Sequence, residues 1–200
     1  MTAIDQAKTF INLARQRTAG GLNLQFLQRH ASKLTGIKRS SFDLVIANMS
    51  LMDIRDLSAT VSEASRVLKS HGRLIFSILH PLYSDFHHEM TVADNHRVFA
   101  RVLSRYMSPT IHRFQWKNGL TTVHYHRPIG EYVEQLQRAD FLIENIREIT
   151  AHVPMVKVSR RHDILYRFTR RYVTAAEKRI KLRARQEFPL FLVMSAVKKG

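Results

Sequence analysis

The sequence predicts an α/β fold built around a parallel sheet, and three observations support this. Residues 42–47 are almost continuously apolar, which is typical of a strand covered on both faces. A helical pattern follows at about 56–69, and residues 73–79 form a second apolar run. Strands that alternate with helices pair in parallel through right-handed crossovers, so we expect these two strands to be neighbours in one sheet.

The chain before residue 40 predicts another strand, helix and strand. Residues 2–5 form a short apolar piece that ends in an acid, and apolar residues then recur at helical spacing from Phe10 to Ala14. Gly20 and Gly21 should end that helix. Residues 23–27 alternate between polar and apolar types, which predicts a strand.

The central helix should end at Ser70-His71-Gly72, with Gly72 in a left-handed conformation. Its inner face should carry apolar residues at helical spacing, namely Leu57, Val61, Ala64, Val67 and Leu68. Periodicity is weak from 80 to 130, which favours an insertion or lid.

The last third of the chain predicts a helix followed by two strands. Pro128 should open the helix, which should extend to about Ala139 with Tyr132, Val133 and Leu136 facing inward. Residues 141–149 and 188–197 predict a final strand pair, and a basic amphipathic segment at roughly 160–185 lies between them.

The composition describes one ordinary globular domain of 200 residues, with 44% apolar and 24% charged residues. No apolar run reaches the length of about 20 residues that a membrane-spanning helix needs. The absence of cysteine excludes a disulfide framework, a thiolate nucleophile and a zinc ribbon. We therefore expect a cytoplasmic protein.

The charge of the chain is its unusual property. The formal net charge is +16, and residues 151–200 contain 13 Lys and Arg against three acids, a net +10. Such a field attracts polyanions, so residues 157–185 predict an anionic partner, either RNA or a membrane surface. A solvated basic helix face explains the same residues equally well.

Residues 40–81, SSFDLVIANMSLMDIRDLSATVSEASRVLKSHGRLIFSILHP, carry the most informative motif. They resemble the fourth strand, following helix and fifth strand of class I S-adenosylmethionine-dependent methyltransferases, closest to the type 11 methyltransferase domain group. Asp43 at the strand start, the loop 48–53 and the Leu-Lys-x-x-Gly ending at 68–72 match that pattern. TAIDQAKTFINLARQR resembles the family's second strand and helix, and YHRPIGEYVEQLQRADF with EFPLFLVMSAVKK resembles its late helix and terminal strands.

The resemblance implies a Rossmann-like methyltransferase sheet with a terminal antiparallel strand pair. The sequence lacks the family's first strand and its glycine-rich G-x-G-x-G loop. We thus expect one incomplete domain over residues 1–200. Its parts are a cofactor-side core (1–81), an insertion or lid on the substrate side (82–127), and a terminal helix and strand pair with the basic helix (128–200).

The same resemblance implies S-adenosylmethionine as the cofactor. Asp5 should accept hydrogen bonds from the ribose hydroxyls, with Gln6 beside it. Where the family usually has Gly-Asp after its third strand, this chain has His30 and Ala31. The other candidate cofactor ligands follow the fourth strand and are Asn48, Met49 and Ser50.

The substrate side offers less specific candidates. His80 follows a buried strand at its carboxyl end and could orient or deprotonate an acceptor, although a structural His-Pro turn explains it too. Candidate substrate-pocket residues are Asp53, Tyr83, Trp116, His126 and Arg127. The pairs His87-His88 and His124-x-His126 lack a companion cysteine or acidic cluster, so we predict no metal site.

Three functions are consistent with these observations. The first is methyl transfer from S-adenosylmethionine to an unidentified small-molecule acceptor. The second is a truncated, catalytically inactive methyltransferase-like protein, and the third is a basic module that binds nucleic acid or a membrane surface. An absent central strand also makes a partner chain that completes the sheet plausible.

Overall fold

The computed structural model describes residues 1–18, 23–84, 89–92, 99–102, 105–116, 119–150 and 188–200. The helices are α1 (Lys8–Arg17), α2 (Leu57–Val67), α3 (Pro81–Ser84) and α4 (Ile129–Arg138), with a 3-10 turn at Leu51–Asp53. The strands are β1 (Thr2–Asp5), β2 (Gln25–Gln28), β3 (Phe42–Asn48), β4 (Leu68–Leu79), β5 (Glu89–Val92), β6 (Phe99–Val102), β7 (Thr110–Gln115), β8 (Thr121–His126), β9 (Phe141–Thr150) and β10 (Pro189–Lys198).

The largest sheet has four strands in the order β3-β4-β10-β9. β3 and β4 are parallel, with Ile46 opposite Ile75 and Asn48 opposite Ser77. β10 runs antiparallel to both β4 and β9. The predicted parallel neighbours and the predicted terminal strand pair are therefore confirmed.

Smaller two-stranded sheets complete the described strands. β1 and β2 pair in parallel, with Ala3 opposite Phe26, as the first strand–helix–strand pattern predicted. β5 with β6 and β7 with β8 form antiparallel pairs. The sequence predicted only an insertion in this region. It missed the two pairs because strands of four and six residues give too short an alternation of polar and apolar residues to be recognised.

The core lies on one face of the four-stranded sheet. Alternate residues of the two central strands are fully buried there, namely Leu74, Phe76, Ile78, Leu192, Met194 and Ala196. Leu57, Val61 and Ala64 of α2 pack into the same cluster, together with Tyr132 and Leu136 of α4. The helical spacing of apolar residues thus identified the inner faces of both helices correctly.

The other face of β3 differs from the prediction. Leu44 and Ile46 are 45% and 66% exposed, so within the described residues this strand is covered on one face only, and the expectation of burial on both faces was wrong. No described strand pairs with β3 on the side away from β4, or with β1 on the side away from β2. A continuous apolar sequence shows that both faces of a strand carry apolar side chains. It does not show whether another element of the fold covers each face.

The junction between α2 and β4 also differs in detail. β4 begins at Leu68 directly after the helix, several residues earlier than predicted. The left-handed residue there is His71, with φ of 61°, and Gly72 does not have a positive φ. Gly72 is required for space instead, because a Cβ at this position would lie 3.0 Å from the Lys69 carbonyl oxygen and 3.3 Å from that of Asp43.

The ion pair between Glu63 and Arg66 of α2 binds the backbone of the loop after β2. Both carboxylate oxygens of Glu63 accept from the Arg66 guanidinium, at 2.6 and 2.9 Å. The Leu34 amide donates to Glu63 at 2.6 Å, and Arg66 donates to the carbonyls of Leu34 and Ile37. The hydrogen bonds from Arg66 hold the pKa of Glu63 below its usual value.

Gly72→Ala should destabilise the chain by about 1–3 kcal/mol, because the added methyl group meets backbone oxygens that have little freedom to move. Urea unfolding gives the measurement. Gly130→Ala in the first turn of α4 is the matched control, since nothing lies within 4 Å of a Cβ there and alanine should raise stability by up to about 1 kcal/mol. Equal effects at both positions would contradict this account.

Glu63→Gln should lower the free energy of unfolding by about 1–2 kcal/mol at neutral pH, since a charged acceptor of three hydrogen bonds is lost. Because the folded-state pKa of Glu63 is lowered, its contribution is complete above the unfolded-state value of about 4.5 and is lost as the pH falls through the folded-state value. The difference from the parent chain should therefore shrink in acid. Glu134→Gln, which removes an exposed pair with Arg138, is the control and should change stability by less than about 0.5 kcal/mol.

Candidate functional site

The carboxyl ends of β3 and β4 form the centre of the candidate site. Ser77 Oγ donates to Asn48 Oδ1 at 2.6 Å and accepts from the Met49 amide at 3.1 Å. The Met49 amide also donates to the Ser77 carbonyl, at 2.9 Å. Met49 has a left-handed backbone with φ of 49°, a conformation that costs a non-glycine residue about 1–3 kcal/mol and often occurs at functional sites.

The loop after β3 continues as the 3-10 turn and is held from the hairpin β7–β8. Asp53 Oδ1 lies 3.4 Å from His124 Nδ1 of β8. The Asp53 side chain is 46% exposed, whereas that of His124 is buried. Asp53 therefore presents a partly accessible carboxylate next to the end of β3, while His124 contacts it from the protein interior.

His80, directly after β4, is buried and has both ring nitrogens engaged. Nδ1 accepts from the Leu82 amide at 3.2 Å, so Nε2 carries the hydrogen in the neutral ring and lies 2.8 Å from Glu148 Oε1. The His80 side chain is only 2% exposed, but that of Glu148 is 55% exposed. Any contact of this pair with an acceptor would thus be made through the Glu148 carboxylate first, and the catalytic role of His80 stays a prediction.

His126 and Arg127, two of the predicted substrate residues, are buried. His126 Nε2 is 2.8 Å from the Tyr106 carbonyl oxygen, and the two rings meet edge to face. Arg127 donates to the carbonyl oxygens of Ile54 and Arg55, both at 2.8 Å. These contacts connect the end of β8 to the loop after β3.

The buried charge of Arg127 has compensating neighbours. Its Nε lies 3.1 Å from Glu131 Oε1, and its guanidinium sits 5.2 Å from the Tyr125 ring centre. Burial raises the pKa of Tyr132 to about 12, and the nearby Arg127 opposes that rise. Tyr132 therefore stays a neutral phenol throughout the range in which proteins work.

The predicted ribose ligand Asp5 ends β1 and is partly buried. Its Oδ1 accepts from the Ala7 amide at 2.7 Å, which stabilises the start of α1 and orients the carboxylate. Gln6 is exposed, and its carbonyl oxygen accepts from Gln28 Nε2. Because β1 and β2 are parallel, His30 and Ala31 follow the strand end beside Asp5.

His30 lies after β2 with its ring on the surface. Its Nδ1 is 2.7 Å from Ser32 Oγ, and Ala31 next to it is partly buried. Both residues keep their predicted position beside the end of β1, and a role in holding a cofactor stays a prediction.

Trp116 and Tyr83 are the remaining predicted substrate residues. Trp116 lies at the turn of the β7–β8 hairpin, where its Nε1 donates to Thr122 Oγ1 at 3.0 Å. Thr122 is two residues from His124, which contacts Asp53, so the strand position that Trp116 binds lies about 7 Å along β8 from that contact. Tyr83 belongs to α3, and its side chain is outside the described part, as are His87, His88 and the basic segment 157–185.

Neither a metal site nor a membrane helix is found in the described part of the chain. No group of three or more His, Cys, Asp or Glu side chains there could hold a metal ion. Its helices are too short or too polar to cross a bilayer.

Sequence reasoning missed Ser77 and Glu148. Ser77 is a polar residue within the apolar run of β4, and that interruption was the available signal. Glu148 gives no such signal, because its contact with His80 spans 68 residues of sequence and exists only once β4, β10 and β9 are neighbours.

The geometry can be compared with known proteins. The sequence of residues 1–76 matches the family model described as "Methyltransferase domain". No curated protein matches the sequence. An S-adenosylmethionine-dependent methyltransferase from Mesorhizobium loti is similar in structure, at 22% identity and a TM-score of 0.70, over 98% of this chain and 80% of that one.

Two other solved structures extend the comparison. A SAM-dependent methyltransferase from Methanosarcina mazei has 18% identity and a TM-score of 0.62, over 99% of this chain and 81% of that one. The [4+2]-cyclase SpnF has 18% identity and a TM-score of 0.52, over 99% of this chain and 65% of that one.

The chain has the fold of the class I S-adenosylmethionine-dependent methyltransferases. The sequence match over residues 1–76 includes β1, β2, β3 and most of β4, so this part of the chain is similar to the methyltransferase domain. The resemblance seen in residues 40–81 is thereby confirmed.

Ser77→Ala should lower the free energy of unfolding by about 1 kcal/mol, because Asn48 loses its donor while the Met49 amide keeps the Ser77 carbonyl. Amide exchange at Met49 and urea unfolding measure the two effects. Ser195→Ala is the control, since Ser195 lies on the same sheet face in the neighbouring strand β10. A loss in Ser77→Ala no larger than in the control would contradict the role assigned to Ser77.

Proposed function

We propose that the chain binds S-adenosylmethionine at the carboxyl ends of β1 and β3 and transfers its methyl group to a small-molecule acceptor. The observation that carries the proposal is the juxtaposition of Asn48, Met49 and Ser77 where two parallel strands end. Open α/β sheets bind their ligands in the crevice outside the carboxyl ends of the strands. The match over residues 1–76 covers the same elements and supports the cofactor assignment.

The residues present fit this cofactor in part. Asp5 uses one carboxylate oxygen for the Ala7 amide, which leaves the second oxygen and further lone pairs for a ribose diol. His30, at the end of the neighbouring strand, could accept one hydrogen bond from an adenine amino group. Gln6, Ala31, Asn48, Met49 and Ser50 would line the remaining contact surface.

The chemistry supplied by the cofactor when bound is an electrophilic methyl group on a sulfonium centre. This chain's own residues would align the acceptor, exclude water and receive a proton. The partly exposed Asp53 carboxylate would accept a hydrogen bond from an acceptor hydroxyl or amine. The same carboxylate would receive the proton that this group releases, and the pair of His80 with Glu148, 2.8 Å apart, is kept as the second candidate for that step.

The acceptor side of the proposal is residues 82–127, which include the β7–β8 hairpin. Tyr83, Trp116, His126 and Arg127 are kept there as candidates, with the burial of His126 and Arg127 favouring an indirect role. A cyclase shares the fold, so the fold alone does not select the reaction or the acceptor. A cytoplasmic location belongs to the proposal and rests on the cysteine-free composition.

Two kinds of macromolecular partner are also proposed. The edges of β1 and β3 that no described strand pairs with could accept a strand from another polypeptide, in the place of the family's first strand and its glycine-rich turn. The net charge of +16 supports an anionic partner, RNA or a membrane surface, for residues 157–185. A catalytically silent role stays the alternative if no cofactor binds.

Calorimetry with S-adenosylmethionine tests the proposal directly. The parent chain should release or absorb heat on binding, and Asp5→Asn should weaken the affinity about tenfold, since the ribose loses a charged acceptor. Asp43→Asn is the matched control, because Asp43 pairs with Lys69 near the opposite end of β3 and should leave affinity unchanged.

Absence of both heat and thermal shift at millimolar cofactor would contradict cofactor binding by this chain. Equal weakening in the Asp5 and Asp43 variants would instead contradict the role of Asp5.

A further inference from the structure

Arg127 has contacts that a surface or substrate-binding arginine would not have. It directly follows β8, and its side chain is only 6% exposed. Burial of a guanidinium is costly unless its hydrogen bonds and charge are satisfied. The groups that satisfy the Arg127 guanidinium therefore indicate the role of this residue.

The guanidinium binds the backbone of the loop after β3 at several points. Its Nη2 donates to the carbonyl oxygens of Ile54 and Arg55 at 2.8 Å each, and Nη1 lies 3.4 Å from that of Leu51. One side chain thus contacts three carbonyls within five residues. The carbonyls of Ile54 and Arg55 lie just after the 3-10 turn, where backbone acceptors need partners from outside it, whereas the Leu51 carbonyl opens the turn and also accepts from the Ile54 amide.

Arg127 is itself held from α4 and β8. Glu131 of α4 lies 3.1 Å from its Nε, and the Tyr125 ring of β8 lies beneath the guanidinium at 5.2 Å. A lysine could not reproduce this arrangement, because an ammonium group offers one point of contact instead of a planar fork. The site is therefore specific for arginine.

A second contact joins the same two elements. His124 of β8 meets Asp53 in the middle of the loop that Arg127 binds at both ends. His124 and Arg127, three residues apart at the end of β8, thus both connect the β7–β8 hairpin to the segment 51–55. Two separate side chains of the hairpin therefore contact this segment of the loop.

We propose that Arg127 is a positioning residue that couples the β7–β8 hairpin to residues 51–55 of the loop after β3. The inference rests on the proposed function for the meaning of that loop, and it assigns no contact between Arg127 and a substrate. Through this coupling, the acceptor-side hairpin sets where Asp53 and the end of β3 lie. A displacement of the hairpin would change the geometry of the cofactor crevice.

Hydrogen exchange measures the coupling without any ligand. The amides of Asp53 and Ile54 are hydrogen-bonded within the turn and report on the loop. In Arg127→Met their exchange should become at least tenfold faster, whereas β10 amides should keep their protection. Arg138→Met, which breaks only the exposed pair with Glu134 on α4, should change neither.

Arg127→Lys provides the second variant in case the methionine variant does not fold. It keeps the charge beside Glu131 but loses the fork, so loop exchange should accelerate by an intermediate factor. Unchanged exchange at Asp53 and Ile54 in whichever variant folds would overturn the proposal. Acceleration of the loop equal to that of β10 would also overturn it, because the effect would then be general instability.

Trp116 offers a separate readout, since it is the single tryptophan of the chain and lies at the hairpin turn. Saturation with S-adenosylmethionine should alter its emission in the parent chain and in Arg138→Met, and this response should be lost in Arg127→Met. A full response in Arg127→Met would overturn the coupling. If calorimetry finds no cofactor binding, the proposed function fails while the exchange experiment still decides the role of Arg127.

Discussion

Parallel pairing between β3 and β4 sets Asn48 opposite Ser77, and every other feature of the site depends on this register. Helix α2 connects the two strands in sequence. Its packing in one core cluster with Leu74 and Phe76 keeps the carboxyl ends of both strands at the same edge of the sheet. A slip of one residue would turn Ser77 toward the core and separate it from Met49. The left-handed backbone at Met49 persists because the same serine supplies it with two acceptors.

Within the described residues, the edge of the four-stranded sheet at β3 has no neighbouring strand. β3 has an edge that no described strand pairs with and two exposed apolar side chains, Leu44 and Ile46, whereas Leu74, Phe76 and Ile78 of β4 are almost fully buried. Exposed apolar strand edges promote association with other polypeptides. Among the described strands, β4 is thus paired on both sides, whereas β3 is paired on one side only.

Two partly exposed charges near the candidate site are negative, although the chain as a whole is strongly positive. Although the protein carries a net charge of +16, the partly exposed groups near the strand ends include the carboxylates of Asp53 and Glu148. Each is held by a buried histidine, His124 or His80, which limits its freedom without removing it from solvent. Arg127 completes the pattern, since its charge is buried and directed at backbone carbonyls instead of at the crevice.

The sequence by itself determined the alternation of strands and helices, the inner faces of α2 and α4, and the parallel pairing of β3 with β4. These follow from local periodicity and from the short list of ways in which such elements can pack. It also identified Asn48, Met49, Asp5 and His80 as strand-end residues, because strand ends can be found from where an apolar run stops.

Only the tertiary structure decided which of these residues meet. The contacts of His80 with Glu148 and of Arg127 with Ile54 join positions 68 and 73 residues apart, and no local pattern encodes such pairs. It also decided that β3 is covered on one face and that His71 rather than Gly72 is left-handed, since both depend on which atoms lie nearby in space. Local sequence fixes what each segment prefers, and packing between distant segments fixes which side chains are buried, paired or left accessible for chemistry.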